Sequence, residues 1–258
     1  MNRLEKIKKL NAHLLAEMPG LQVEEIPDKL AEQRKLLRAL MNVRPPMPLD
    51  NDFLKLQDEI LSAEVEERGI VKLSEIADVE KNIKLWQGDI TRLEVDAIVN
   101  AANSALLGCF VPLHACIDNA IHSAAGLQLR DACNKIMQQQ GHSEPTGKAK
   151  LTPAYNLPSK FVIHTVGPII SHSGNPTDKE ENLLADCYEN CLKISVENNL
   201  QSIAFCCIST GEFHFPNCRA AEIAVEVVRK FLAENNLVVV FNVFKDLDLK
   251  IYRELLEE

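Results

Sequence analysis

From residue 83 onward, short apolar runs alternate with longer stretches in which apolar residues recur every three or four positions. The short runs, at 83–86, 97–100, 161–165, 203–207 and 238–244, predict strands; the longer stretches, at 119–138, 179–198 and 220–235, with a shorter one at 247–256, predict helices. This alternation predicts an α/β domain whose helices cover a central sheet. Most strand runs end in a polar or glycine-containing loop, at 88–91, 100–103 and 209–211. In an open α/β sheet a ligand lies beyond the carboxyl ends of the strands, so a site is expected at these loops.

The chain before residue 81 has a different character. It is more densely charged than the remainder and reads as helices separated by proline breaks. Leu36, Leu37, Leu40 and Met41 share one helical face, as do Phe53, Leu56 and Ile60, and Pro45, Pro46 and Pro48 interrupt the pattern between them. Residues 1–80 are therefore expected to form a helical N-terminal extension and residues 81–258 the α/β domain. Amphipathic helices need a surface to cover, and the same chain is the expected one.

Composition narrows the function classes. With 46% hydrophobic and 25% charged residues the chain is that of an ordinary globular protein. Its longest apolar runs, at 203–208 and 237–241, fall far short of the roughly 18 residues a membrane span requires. The first ten residues lack the apolar centre of a secretory signal, so the protein is expected in the cytoplasm. A net charge of −9 argues against nucleic acid as a partner, whereas a small phosphorylated ligand can still be held by helix N-termini and backbone amides. No membrane partner is expected, and a monomer is. The eight cysteines are expected as thiols. Cys133, Cys187, Cys191, Cys206 and Cys207 fall in apolar or helical patterns that suit buried thiols, whereas Cys109 and Cys116 stand apart.

Residues 86–103 read WQGDITRLEVDAIVNAAN, and this stretch resembles the macrodomain family. IHSAAG at 121–126, HTVGP at 164–168 and CISTGEFHFP at 207–216 follow in that family's order, so the resemblance covers roughly residues 83–256. It implies a three-layer α/β/α fold around a mixed sheet and a site for ADP-ribose. By the same resemblance Asp89 accepts a hydrogen bond from the adenine amino group with the Ile90 amide beside it, Asn103 holds the distal ribose, and Phe244 lies where an aromatic ring covers adenine. On the residues alone, Ser209, Thr210 and Gly211 follow a buried strand and offer backbone amides to a pyrophosphate, with Gly211 allowing close approach. Phe213 and Phe215 suit either ribose contact or core packing. His214 stands where the family usually has a small residue. Glu212 also departs from the family, and its charge is unfavourable beside a pyrophosphate unless it points away or meets the modified protein.

The family's run of glycines after NAAN is missing. In its place stand Cys109, His114 and Cys116, spaced C-x4-H-x-C, which resembles the zinc-containing branch of the family. Two thiolates and an imidazole suit zinc, and three protein ligands leave the fourth tetrahedral position open for water or substrate. A closed structural site would need a further ligand, for which His122 and Cys218 are conceivable. Asp118 precedes a helical pattern and suits an N-cap; by resemblance it is the aspartate that orients or deprotonates a water beside the distal ribose. His122 and His164 read as satisfied packing histidines. The function implied is a zinc-dependent hydrolase that removes mono-ADP-ribose from modified proteins, with Asp118 and Asn103 as catalytic candidates. A binding module that does not cleave, and a deacylase of small O-acyl-ADP-ribose esters, are the alternatives.

Overall fold

The computed structural model describes residues 1–23, 25–171 and 175–257. The chain opens with three helices, α1 (Arg3–Glu17), α2 (Leu30–Val43) and α3 (Asn51–Arg68). Local signals start two of them. Asn2 and Glu5 form a reciprocal capping box on α1, and the Asp50 carboxylate accepts from the Phe53 amide on α3. Their apolar faces bury Ile7, Leu10, Leu14, Leu37, Leu40, Met41, Phe53, Ile60 and Leu61 against one another. Each such side chain contributes about 1.5–3 kcal/mol relative to exposure. The proline break after α2 is held by the buried Arg44, whose guanidinium donates to both oxygens of Glu17 at 2.6 and 2.8 Å and to the Pro48 carbonyl.

The sheet elements follow as β1 (Val71–Lys72), β2 (Asp78–Glu80), β3 (Ile83–Gln87), β4 (Leu93–Glu94), β5 (Ala97–Ala101), β6 (Ala149–Pro153), β7 (Phe161–Thr165), β8 (Ser202–Phe205) and β9 (Val238–Val243). Strands β1 and β4 pair alone, and the other seven form one sheet in the order β2-β3-β9-β8-β5-β7-β6. The five central strands run parallel and the two edge strands antiparallel, so the sheet is mixed. β5, β8 and β9 are almost entirely buried, which is why they read as largely apolar runs rather than as alternations, whereas β3 is buried only at Ile83 and Lys84.

Helices α4 (Ile117–Ala125), α5 (Leu127–Gln140), α6 (Asp178–Glu197), α7 (Asn217–Leu232) and α8 (Asp246–Glu257) flank this sheet. The first two were expected as one helix over 119–138. Gly126 separates them at φ +96, and a Cβ there would meet the Gln57 amide nitrogen of α3 at 2.6 Å, so the break is also a docking point. β6 was not expected at all, because AKLTP has little β-branched or aromatic content; it forms through pairing with β7, and its proline sits on the free edge. β8 and β9 end at Phe205 and Val243, earlier than their apolar patterns, and the residues beyond them turn into loops.

The extension packs on the same chain. Leu127 of α5 completes the helical core, the Leu127 amide donates to Gln57 Oε1 at 2.9 Å, and Asp58 accepts from Gln128 and Asn156. α2 lies against α4. Among the described residues no helix is long and apolar enough to cross a membrane.

Candidate active site

The loops after β3, β5, β8 and β9 converge around a cleft of about 480 Å³ at the carboxyl ends of the parallel strands. Asp89 and Ile90 enter it from β3, Ser209 to Phe213 from β8, Phe244 and Lys245 from β9, and Cys116, Ile117 and Ala120 from the start of α4. Phe244 presents a largely exposed ring to this space, whereas Phe215 is buried and belongs to the core. The Asp89 carboxylate caps a 3-10 turn. Its Oδ1 accepts from the amide and hydroxyl of Thr91 at 3.0 and 2.7 Å, and its Oδ2 from Arg68 of α3 at 3.0 Å. Each oxygen keeps acceptor capacity, and Arg68 sets the orientation in which that capacity is offered.

The loop after β8 is built around a close approach. A Cβ at Gly167 would lie 2.0 Å from the Ser209 hydroxyl, so HTVGP supplies the one residue type that leaves Ser209 room. Ser209 has φ +64 and His214 φ +58, and two backbone bonds, His214 N to Gly211 O and Phe215 N to Ser209 O, close the loop. His214 thus stands, in place of the family's usual small residue, at a backbone position that favours glycine. The backbone amides of Thr210, Gly211, Glu212 and Phe213 have no protein acceptor among the described residues. Four successive amides without acceptors on a cleft-lining loop suit an anion. A Cβ at Gly211 would meet no protein atom within 4 Å, so any need for glycine there comes from the ligand side. Glu212 also lines the cleft but is largely exposed, and its Oε1 lies 3.6 Å from His114 Nε2.

Cys109, His114 and Cys116 come together at the cleft's edge with their ligand atoms all within 4.8 Å of one another. Cys109 Sγ is 3.7 Å from His114 Nδ1. Tetrahedral zinc bonds of ordinary length place such atoms about 3.5–3.8 Å apart, so the donor types and the Cys109–His114 separation fit the ion. Neither His122 nor Cys218 belongs to this group among the described residues. Cys116 has a second task. Its sulfur accepts from the Asn119 amide at 3.4 Å and caps α4, so the capping role expected of Asp118 falls to the cysteine.

Asp118 lies inside the first turn of α4, buried, and does not itself line the cleft; nor do Asn103, Cys109 and His114. Its Oδ1 accepts from Asn100 at 2.8 Å and its Oδ2 from Asn103 at 3.2 Å. Burial pushes its carboxyl up to about 6, against the opposing pull of Asn100, Arg130 and Asn103. Asn103 also donates to the Gly108 carbonyl, so it ties the loop that carries Cys109 and His114 to this carboxylate. Behind them His164 meets Asn100, Thr152 and Cys133, a packed histidine as expected. The buried His122 differs. Neither ring nitrogen makes a hydrogen bond among the described residues, and Nε2 stands 3.5 Å from Asp118 Oδ1.

The extension also reaches the site. Arg38 of α2 lines the cleft, and together with Asp89 and Ala120 it also borders an adjoining cleft of about 610 Å³ between the extension and α4. Nothing in the sequence singled out Arg38, Arg68 or Asn100 as site residues. The only available signal was that two asparagines three apart in NAAN can reach a single acceptor.

A family model for the Macro domain matches residues 99–224. A protein-ADP-ribose hydrolase of Treponema medium is 51% identical over 262 residues, covering 99% of this chain and all of that one. The chain belongs to the macrodomain family. Among solved macrodomains, the Trypanosoma brucei protein in complex with ADP-ribose superposes with a TM-score of 0.66 at 28% identity, covering 84% of this chain and 94% of that one. A variant of the Oceanobacillus iheyensis macrodomain with ADPR gives a TM-score of 0.64 at 39% identity and covers 70% of this chain and 96% of that one. The macrodomain fold expected from the motifs is therefore the fold observed, a mixed sheet flanked by helices.

Proposed function

We propose that this macrodomain protein binds ADP-ribose and hydrolyses it from modified protein side chains, with Cys109, His114 and Cys116 holding a zinc ion. The observation that carries this reading is that Cys116 is both a wall of the cleft and a member of the cluster that fits zinc. The hydrolase relative that this chain matches end to end supports the same activity.

In this reading the Asp89 carboxylate, steadied by Arg68, accepts from the adenine amino group while Phe244 covers the ring. The free amides of residues 210–213 receive the pyrophosphate. The distal ribose then points towards Cys116, with Asn103 and Asp118 behind it. Asp118 orients a water or accepts its proton, and Asn100 and Asn103 fix both of its oxygens while it does so. Zinc bound at the three ligands supplies a Lewis acid, or a water with pKa lowered towards about 7.

The test is release of label from a protein carrying radiolabelled mono-ADP-ribose on incubation with the full chain. Free ADP-ribose is the expected product. Tight binding of the modified protein with the label retained contradicts hydrolysis and makes the chain a reader.

A further inference from the structure

The loop that carries the metal-ligand cluster belongs to the α/β domain, yet its shape is held by a polar network completed from the extension. Four side chains form this network: Arg38 and Asn42 from α2, and Asn119 and Ser123 from α4. Arg38 donates to Asn119 Oδ1 at 2.8 Å through Nη2 and at 3.3 Å through Nε, and Nη2 lies 3.5 Å from the His114 carbonyl. Asn119 Nδ2 donates to the Val111 carbonyl at 3.0 Å, and the Ser123 hydroxyl donates to Asn119 Oδ1 at 3.2 Å. Asn42 closes the circuit, donating to the Ser123 hydroxyl at 3.0 Å and accepting from the Leu113 amide at 3.0 Å.

The targets of these bonds are informative. Val111 O, Leu113 N and His114 O are consecutive anchor points on the turn between Cys109 and Cys116, and Asn119 also donates its amide to the Cys116 sulfur. Leu113 has φ +57, a conformation a branched side chain adopts only when its surroundings impose it. The Asn42 carbonyl oxygen lies where it imposes it. Leu113 is also well exposed, so burial of its side chain does not account for the backbone. On the other flank of the loop, Arg130 of α5 donates to Leu107 O and to Met41 O of α2 and stacks 4.4 Å over the Phe110 ring. The loop is thus bound from both sides to one helix of the extension. Asn42, Asn119 and Ser123 are buried, and a buried polar network with its bonds made is a rigid one.

We propose that the N-terminal extension is part of the catalytic apparatus, with Arg38 and Asn42 acting as positioning residues that hold Cys109, His114 and Cys116 in ligand geometry. This rests on the reading of that cluster as a zinc site. A metal site gains affinity when its ligands are ordered before the ion arrives, because that ordering is otherwise done at the cost of binding. Removing the clamp therefore loosens the ion first and leaves the nucleotide arm, built from Asp89 and residues 209–213, in place.

The experiment compares the full-length parent with Asn42→Ala, Arg38→Met and the double variant, each loaded with zinc. Zinc release is followed with a chromogenic chelator, ADP-ribose affinity by calorimetry, and kcat and KM by label release. The double variant is expected to release zinc at least 10-fold faster and to lose kcat in proportion, while Asn42→Ala, at a residue that does not line the cleft, is expected to release zinc faster with ADP-ribose Kd within about 3-fold of the parent. Arg38→Lys, which keeps the charge but not the planar fork, serves as the milder variant should the double one not fold, and is expected to fall between parent and Arg38→Met. Zinc release equal to the parent in both Arg38→Met and Asn42→Ala overturns the proposal. A parent that takes up no zinc overturns the reading on which it rests, and the two failures are told apart by the parent's own metal content.

Discussion

At the scale of single residues, Cys116 shows how one side chain is constrained twice. Its sulfur is a ligand candidate and also the cap of α4, accepting from the Asn119 amide. The two roles separate by substitution. With all proteins stripped of metal, Cys116→Ser keeps an acceptor at the cap and is expected to unfold within about 0.5 kcal/mol of the parent, whereas Cys116→Ala is expected to be less stable by about a further 1 kcal/mol. Both are expected to lose zinc, which metal analysis beside urea unfolding checks. Asp118, relieved of the capping role, has its two oxygens held by Asn100 and Asn103 instead; on the proposed mechanism Asp118→Asn is expected to lower kcat by about 100-fold or more with ADP-ribose Kd within a few-fold, measured by label release and calorimetry. That Cys109, His114 and Cys116 meet and that the GDIT aspartate lines the cleft were legible in the sequence because each is a compact motif. The cap was not, because a cysteine is an uncommon acceptor there and Asp118 has the better propensity. Nor was the tie from Arg68 to Asp89, since residues 21 apart in sequence meet only after α3 has docked.

At the scale of elements, β5, β8 and β9 were legible because burial on both faces makes them largely apolar runs, while β6 was hidden because an edge strand takes its conformation from its neighbour. The break between α4 and α5 was hidden because the apolar period continues across Gly126 and only the approach of Gln57 demands it. The strand β7 carries a consequence for acid stability. Burial lowers His164 to about 3, and it lowers His122 well below its ordinary value. The unfolded chain takes up these protons at about 6.5 and the folded one does not, so stability is full above about pH 6.5 and is lost as pH falls towards 3. For His164 the loss is about 2 kcal/mol by pH 5. Urea midpoints at pH 7 and pH 5 are expected to differ more in the parent than in His164→Gln; an unchanged difference contradicts the assignment.

At the scale of the whole molecule, the sequence divides into a charged helical part and an α/β part, and the structure joins them through a shared core and the polar clamp on the loop between Cys109 and Cys116. Charge and proline mark the helical part, but its helices end at Arg68, and β2 (Asp78–Glu80), expected within the 1–80 extension, pairs into the seven-stranded sheet; the joint was not legible, because an amphipathic face records that a helix needs a partner and not which one. Leu127 sits at that joint. Leu127→Ala is expected to cost about 2–4 kcal/mol, with the single Trp86 in the sheet and the far-ultraviolet helix signal still melting together. Separate melting of the two signals in the parent contradicts a shared core. The most direct test of the whole account is label release from a mono-ADP-ribosylated protein by purified chain before metal removal, after dialysis against a strong chelator, and after one equivalent of zinc is returned. Release that vanishes on stripping and returns with zinc is the predicted result, and undiminished release by protein shown to be metal-free contradicts it.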